Sequence, residues 1–224
     1  MTLVTVDFDG TLFKGNSFKV MFQAATKDFT WKDWSGVVGG LIKAVGLWFV
    51  KGKNAFRLAF FAAFAKGFKG KTKQELDRFF HQLVDIGRNE VHYGLIQKIK
   101  DHQKNGDTVI ILSGALLPFL QAFTKEMGLD VAIISTELKF DQNGVCTGKI
   151  GPIVNGNEKV KRVESWLKQH GYSTDANVDN PEVWAYADSE SDIPLFQFAT
   201  HPIVVNPDEP MKKIAEENEW PIWA

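Results

Sequence analysis

Leu3-Val4-Thr5-Val6-Asp7-Phe8-Asp9-Gly10-Thr11 is a short β-branched, hydrophobic stretch that stops abruptly at Asp-Gly-Thr. A run of this kind ending in turn chemistry reads as a buried strand feeding a tight turn. Comparable stretches recur downstream. Thr108–Leu112 ends in Ser113-Gly114 and precedes a helical pattern through Met127, and Val131–Ile134, Val183–Ala187 and Pro202–Val205 follow. Asp141-Gln142-Asn143-Gly144 has the chemistry of a hairpin turn joining Leu138–Phe140 to Val145–Thr147, and a helix is predicted from about Glu158 to His170. Strands alternating with helices specify an α/β fold: a Rossmann-like, doubly wound parallel sheet with helices on both faces. Ligands of such sheets sit at the carboxyl ends of the strands, where Asp7, Ser113 and Asp188 all fall.

Residues 15–90 break this pattern. They carry no strand signal, and their apolar residues recur at helical spacing, so an all-helical insert is expected here, with the α/β core formed by residues 1–14 and 91–224. Charge separates the two parts: the insert has 13 Lys/Arg against 6 Asp/Glu, a net of +7, leaving the core at -8. From Gly36 to Lys73 there is no acid but eight bases: Lys43, Lys51, Lys53, Arg57, Lys66, Lys69, Lys71 and Lys73. The insert also holds 14 of the 28 aromatics, Trp31, Trp34, Trp48, Phe49, Phe56, Phe60, Phe61, Phe64 and Phe68 among them. The plain account is an aromatic cap core with solvated lysines outside. The sharper one is a basic, apolar surface facing an amphiphilic phosphate ester or an anionic membrane.

Bulk composition narrows the classes. With 224 residues, 44% hydrophobic and 24% charged, the chain can bury a substantial core. A net charge of -1 argues against a whole-molecule electrostatic partner such as nucleic acid. The one cysteine, Cys146, cannot form an internal disulfide, which fits a reducing, cytoplasmic compartment. No apolar run approaches the ~18 residues of a membrane span, and Leu3–Phe8 reads as a strand, not a signal segment. Asn177–Glu182 reads as a surface loop. Ala65–Thr72 resembles a P-loop but lacks the first glycine and follows a helical pattern. The five histidines have no metal-ligand spacing.

Chemistry concentrates in four places. Asp7 and Asp9 at i, i+2, with a turn beginning at Asp9, reach one pocket; like charges that close do not both ionise cheaply, which divides nucleophile from general acid. Gly10 permits the turn, whose N–H groups can face a phosphate; the plain alternative is an Asx-turn. Asp188 and Asp192 at i, i+4 can approach a hard cation, Mg²⁺ favouring a few carboxylates plus water, although acids and serines there also cap helices. Ser113-Gly114 offers a hydroxyl and a helix N-terminus to an anion, or merely a cap. Lys159 sits early in a helix, where a cation opposes the dipole, which suggests a purpose beyond solvation.

In this order and spacing the four elements resemble the motifs of the haloacid dehalogenase superfamily. The helical insert after the first motif, and Ala185–Leu195 followed by His201–Pro207, resemble its phosphoserine phosphatase-like branch, subfamily IB. The resemblance implies a Mg²⁺-dependent phosphomonoester phosphatase acting on a small phosphate ester through a phospho-aspartate. It implies Asp7 as nucleophile, Asp9 as acid and base, and Thr11, Ser113, Gly114 and Lys159 as phosphate ligands. Asp7, the Asp9 carbonyl and Asp188 would hold the metal, with Asp192 ordering that shell. The aspartate at position 9 separates the chain from dehalogenases, which lack it, and from transport ATPases, which have threonine there. Phosphoserine phosphatases carry a glutamate where this chain has Asn16, which argues against phosphoserine as substrate. A phosphomutase and a non-catalytic phosphoryl-binding regulator of the same fold are the alternatives.

Overall fold

The computed structural model describes residues 1–172 and 181–223, with the helical backbone but not the side chains of residues 43–58. In chain order the elements are β1 (Thr2–Val6), α1 (Ser17–Asp28), α2 (Trp31–Gly67), α3 (Lys73–Ile86), α4 (Tyr93–Lys104), β2 (Thr108–Leu116) and α5 (Leu117–Met127). They continue as β3 (Ala132–Thr136), β4 (Leu138–Phe140), β5 (Cys146–Ile150), α6 (Asn157–Gln169), β6 (Glu182–Ala187), α7 (Ile193–Phe198), β7 (His201–Val205), α8 (Glu209–Glu217) and β8 (Ile222–Trp223). Most of the expected Asn177–Glu182 loop lies outside the described residues, and Glu182 already belongs to β6.

Six strands form one parallel sheet in the order β3-β2-β1-β6-β7-β8. Successive side chains on a strand point to opposite faces, and both faces are covered. Val4, Val6, Val109, Ile111 and Tyr186 enter one hydrophobic cluster, whereas Leu3, Ile110, Leu112, Ala185 and Ala187 enter the other. Burial on both faces explains why these strands read as continuous apolar runs. The edge strand β8 has two residues, too few to carry a periodic signal, and lies with α4 and α8 beyond the elements predicted from the sequence. The 138–150 hairpin forms as its turn chemistry dictates: Gly144 has φ +74, and the Asp141 carboxylate accepts from the Asn143 and Val145 N–H groups at 2.9 and 3.0 Å.

The insert is helical throughout α1, α2 and α3. Thr30 and Thr72 open α2 and α3 with capping boxes closed by Asp33 and Glu75. The two ends of α2 lie side by side. A Cβ added at Gly40 would sit 2.4 Å from that of Ala63, and one at Gly67 would sit 2.8 Å from Val37 Cγ2. Glycine is what allows the two arms to approach so closely.

Phe29, Phe64, Phe68, Phe79 and Phe80 interlock around this junction, with ring centroids 5.3–5.8 Å apart in pairs such as Phe68–Phe79 and Phe64–Phe68. Much of the aromatic excess is therefore the insert's own core. Trp31 and Phe22 are exceptions at 80% and 43% exposed, and the side chains of Trp48, Phe49 and Phe56, with those of Lys43, Lys51, Lys53 and Arg57, lie outside the described set. The insert is also tied to the core. Its aromatics share a hydrophobic cluster with the β1 and β2 residues, and the Gly70 and Cys146 N–H groups donate to the Cys146 and Lys71 carbonyls, both at 2.8 Å. No helix among the described residues is long and apolar enough to cross a bilayer.

Gly40→Val should destabilise the protein by about 1–3 kcal/mol despite its better helix propensity, because the new side chain overpacks the α2 arms. Ala63→Gly in the Gly40→Val background should recover part of that loss in chemical denaturation. Unchanged stability of Gly40→Val would mean that the arms are not in contact in solution.

Candidate active site

The sheet register brings the chemistry together. Val6 pairs with Ile111 on one side and Tyr186 on the other, and the Asp7 N–H donates to the Tyr186 carbonyl at 2.8 Å. Asp7 thus leaves β1 beside the ends of β2 and β6, which carry Ser113 and lead to Asp188. The chain winds away from β1 in both directions here, and this is where an open parallel sheet forms its crevice.

Lys159, in the first turn of α6, is 1% exposed. Its Nζ lies 2.9 Å from Asp7 Oδ1 and also bonds Asp192 Oδ1. Burial alone would favour the neutral amine, but the Asp192 and Asp7 carboxylates outweigh it and hold the lysine protonated, well above its ordinary pKa. These two partners account for a cation placed against the helix dipole. Asp192 Oδ2 accepts from Ser189 Oγ at 2.8 Å, so both its oxygens are engaged. One oxygen each of Asp7, Asp188 and Asp192 lies within 4.8 Å of the others.

The cost of crowding carboxylates is visible in their acidities. Burial raises Asp7, with Lys159 pulling it down and Asp192 pushing it up. Burial, then Asp7 and Asp192, pushes Asp188 up to about 8, against the hydrogen bond from Thr11 and the charge of Lys159. Three carboxylates facing one ammonium leave an excess of negative charge on hard oxygen donors. That donor set fits a divalent cation, which Asp7 and Asp188 would hold while Asp192 secures Lys159.

Asp9 is positioned by the insert. Its carboxylate accepts from the Ser17 N–H at 2.6 Å and from Ser17 Oγ at 2.7 Å, at the N-terminus of α1. Sequence reasoning missed Ser17; the signal was Asn16-Ser17, a helix start only seven or eight residues beyond Asp9. Asn16 caps α1, its Oδ1 accepting from the Phe18 N–H at 2.9 Å.

Several expectations need correction. The turn at Gly10 does not aim its N–H groups at a ligand: Gly10 donates to the Phe13 and Gly15 carbonyls and Thr11 to that of Phe8. Gly10 is required for two other reasons, a φ of +82 and the approach of Asp188, whose Oδ2 would lie 2.1 Å from an added Cβ. The Thr11 hydroxyl, fully buried, donates to Asp188 Oδ1 at 3.0 Å and so braces a carboxylate instead of facing the cavity. β2 does not end at Ser113-Gly114 but continues through a register shift to Leu116, so no helix N-terminus meets Gly114. Asp188 and Asp192 meet across a 3₁₀ turn, Glu190–Asp192, that precedes α7, not along one helix.

One cavity of about 480 Å³ gathers Asp7, Asp9, Ser113, Gly114, Lys159 and Asp188 along its floor. Ser113 Oγ accepts from the Ala115 N–H at 3.3 Å, and its hydroxyl proton remains to donate. The insert lines the same cavity with Phe18, Phe60 and Phe61; Phe60 and Phe61 belong to the aromatic set read from the sequence as a surface for a phosphate ester, whereas Phe18 was not singled out.

The family model described as haloacid dehalogenase-like hydrolase matches residues 4–197. A histidinol-phosphatase of Neisseria meningitidis is 29% identical over 125 residues, 55% of this chain; the chain spans about half, 54%, of that relative's length. A Bordetella pertussis protein of unknown function superposes with a TM-score of 0.78 at 21% identity, covering 100% of this chain and 97% of that one. A phosphoserine phosphatase solved as a phospho-aspartyl intermediate analogue superposes with a TM-score of 0.60 at 19% identity, covering 99% and 91%.

The raised pKa of Asp188 has a stability consequence. From its ordinary value of 3.8 up to about 8 the folded protein holds a proton that the unfolded chain releases, so stability is lost as pH rises through that interval. In chelator, Tm should therefore fall between about pH 6 and pH 8.5, and Asp188→Asn should flatten that fall. An equal fall in the variant would remove Asp188 as its source.

Proposed function

The chain belongs to the haloacid dehalogenase-like hydrolase family, and from that premise we propose that it is a Mg²⁺-dependent phosphomonoester phosphatase working through a phospho-aspartate on Asp7. The observation that carries this reading is the buried Lys159 bridging Asp7 and Asp192, with Asp188 beside it and Asp9 lining the same cavity. The phosphatase named among the relatives and the phospho-aspartyl analogue of a structural neighbour support the same chemistry.

Asp7 attacks phosphorus, and the P–O bond to the leaving group breaks as Asp9 delivers a proton to that oxygen. Asp9 then takes a proton from water, whose oxygen attacks the aspartyl-phosphate, and Asp7 is regenerated as inorganic phosphate leaves. Lys159 keeps the Asp7 carboxylate aimed into the cavity and offers positive charge to the phosphoryl oxygens, joined by the Ser113 hydroxyl. Asp7 and Asp188 would hold Mg²⁺, which would supply further neutralisation of phosphoryl charge. Ser17 holds Asp9 in line, so the helices of residues 15–90 serve as a cap that completes the acid–base pair while covering the site.

The same cap supports a peripheral contact with anionic membrane. Trp31, Val38 and Ile42 are 80%, 47% and 70% exposed and share one face of the first α2 arm. Val38 and Ile42 lie within the acid-free stretch that carries the eight bases, and Trp31 lies just before it. An exposed apolar stripe beside basic charge suits an interfacial helix.

Asp7→Asn should reduce phosphate release from a phosphomonoester by more than about a thousandfold in Mg²⁺ with the fold intact by circular dichroism. Asp9→Asn should lose more on an alkyl phosphate than on an aryl phosphate, whose leaving oxygen needs no proton. An Asp7→Asn variant within about tenfold of wild type would end the covalent reading. Sedimentation with liposomes should show binding to anionic but not neutral vesicles, weakened by salt and by Ile42→Ser; absence of binding at low salt would dismiss the membrane contact.

A further inference from the structure

The cavity is chemically divided. Among the described residues that line it, the charged ones are Asp7, Asp9, Lys159 and Asp188, all gathered at the phosphoryl end. The wall facing them is aromatic. Phe18 of α1 lies with its ring centroid 3.8 Å from Phe61 and 5.1 Å from Phe60, both on the second α2 arm. Ile153 continues the apolar lining near Gly114. The uncharged polar lining residues are Asn16, whose side-chain oxygen is committed to the Phe18 N–H, Ser113, Asn155, and Ser189 and Ser191, whose hydroxyls bond each other.

The leaving group of any ester whose phosphorus sits at Asp7 must lie toward this wall. A charged alcohol such as an amino acid would bring an ammonium and a carboxylate against phenyl rings with no counter-charge among the described lining residues, and desolvating an unpaired charge is prohibitive. A polyhydroxylated alcohol would gain less there, because hydroxyls turned toward the rings of Phe18, Phe60 and Phe61 meet no hydrogen-bond partner on them. An apolar alkyl or aryl group would instead exchange water for ring contacts.

Resting on the phosphatase reading above, we infer that Phe18, Phe60 and Phe61 form a leaving-group subsite. It selects monophosphates of uncharged, apolar alcohols, with an alkyl chain or aromatic ring directly next to the ester oxygen. Asn16 and Ser17 set the position of this subsite, because they start the helix that carries Phe18 and at the same time fix Asp9.

The test is kcat/KM across methyl, butyl, hexyl and benzyl phosphates, with phosphoserine and glycerol phosphate alongside, on the full-length protein in Mg²⁺. Wild type should gain by up to roughly fourfold per methylene that reaches the rings, and phosphoserine and glycerol phosphate should rank below butyl phosphate. Phe18→Ser should flatten the hexyl-to-methyl ratio, and Phe18→Leu should restore most of it. The wild-type series stands as a test even if Phe18→Ser fails to fold. Turnover with no dependence on chain length, or with phosphoserine or glycerol phosphate preferred, would overturn the subsite while leaving the phosphatase reading intact. No turnover of any ester would instead count against the phosphatase reading on which the subsite rests.

Discussion

A single ammonium organises this site. Lys159 is buried between Asp7 and Asp192, and neither the lysine nor the carboxylates would be tolerable there alone. Removing one partner of a buried pair leaves an uncompensated charge and typically costs about 3–5 kcal/mol. The three groups come from the end of β1, the first turn of α6 and the 3₁₀ turn before α7, so the ion pairs dock three separate elements. Asp188 is left as the carboxylate with less compensation, and burial, together with the neighbouring Asp7 and Asp192 carboxylates, raises its pKa.

The rest of the architecture can be read as support for that arrangement. Parallel pairing of β1 with β2 and β6 puts three strand ends side by side, and the Asp7 N–H bond to Tyr186 sets the height at which Asp7 emerges. Thr11 braces Asp188, Ser189 braces Asp192, and the absence of a side chain at Gly10 leaves room for Asp188. Serine and threonine hydroxyls do much of this work because they donate to a carboxylate without adding charge.

The helical insert contributes by a different route. Its amphipathic helices bury an aromatic core continuous with one face of the sheet, so it is anchored by packing, not merely linked. From that anchorage the N-terminus of α1 reaches Asp9, whose two side-chain oxygens are fixed by the Ser17 N–H and hydroxyl. The same turn projects Phe18 into the cavity. On the proposed reading, one short segment, residues 16–18, therefore sets both proton transfer at Asp9 and contact with the leaving group.

The sequence alone determined the parallel α/β sheet, because strands buried on both faces must be apolar throughout and their breaks fall at turn residues. It likewise determined the helical insert, the 141–144 turn and the residues Asp7, Asp9, Ser113, Lys159, Asp188 and Asp192 as site candidates, since unusual residue types at strand ends stand out locally. Tertiary structure decided which of these meet. That Thr11 faces Asp188 and not the cavity, that β2 runs past Gly114, that the two arms of α2 pack on Gly40 and Gly67, and that Ser17 holds Asp9 all depend on where separate elements come to rest. Residue spacing carries the period of an element, whereas the partner of a side chain is set by packing between segments far apart in the chain. Phe18, Phe60 and Phe61 make the point most plainly: along the chain an aromatic of the insert reads equally as core or as surface, and only the fold places these three in the cavity that holds the carboxylates.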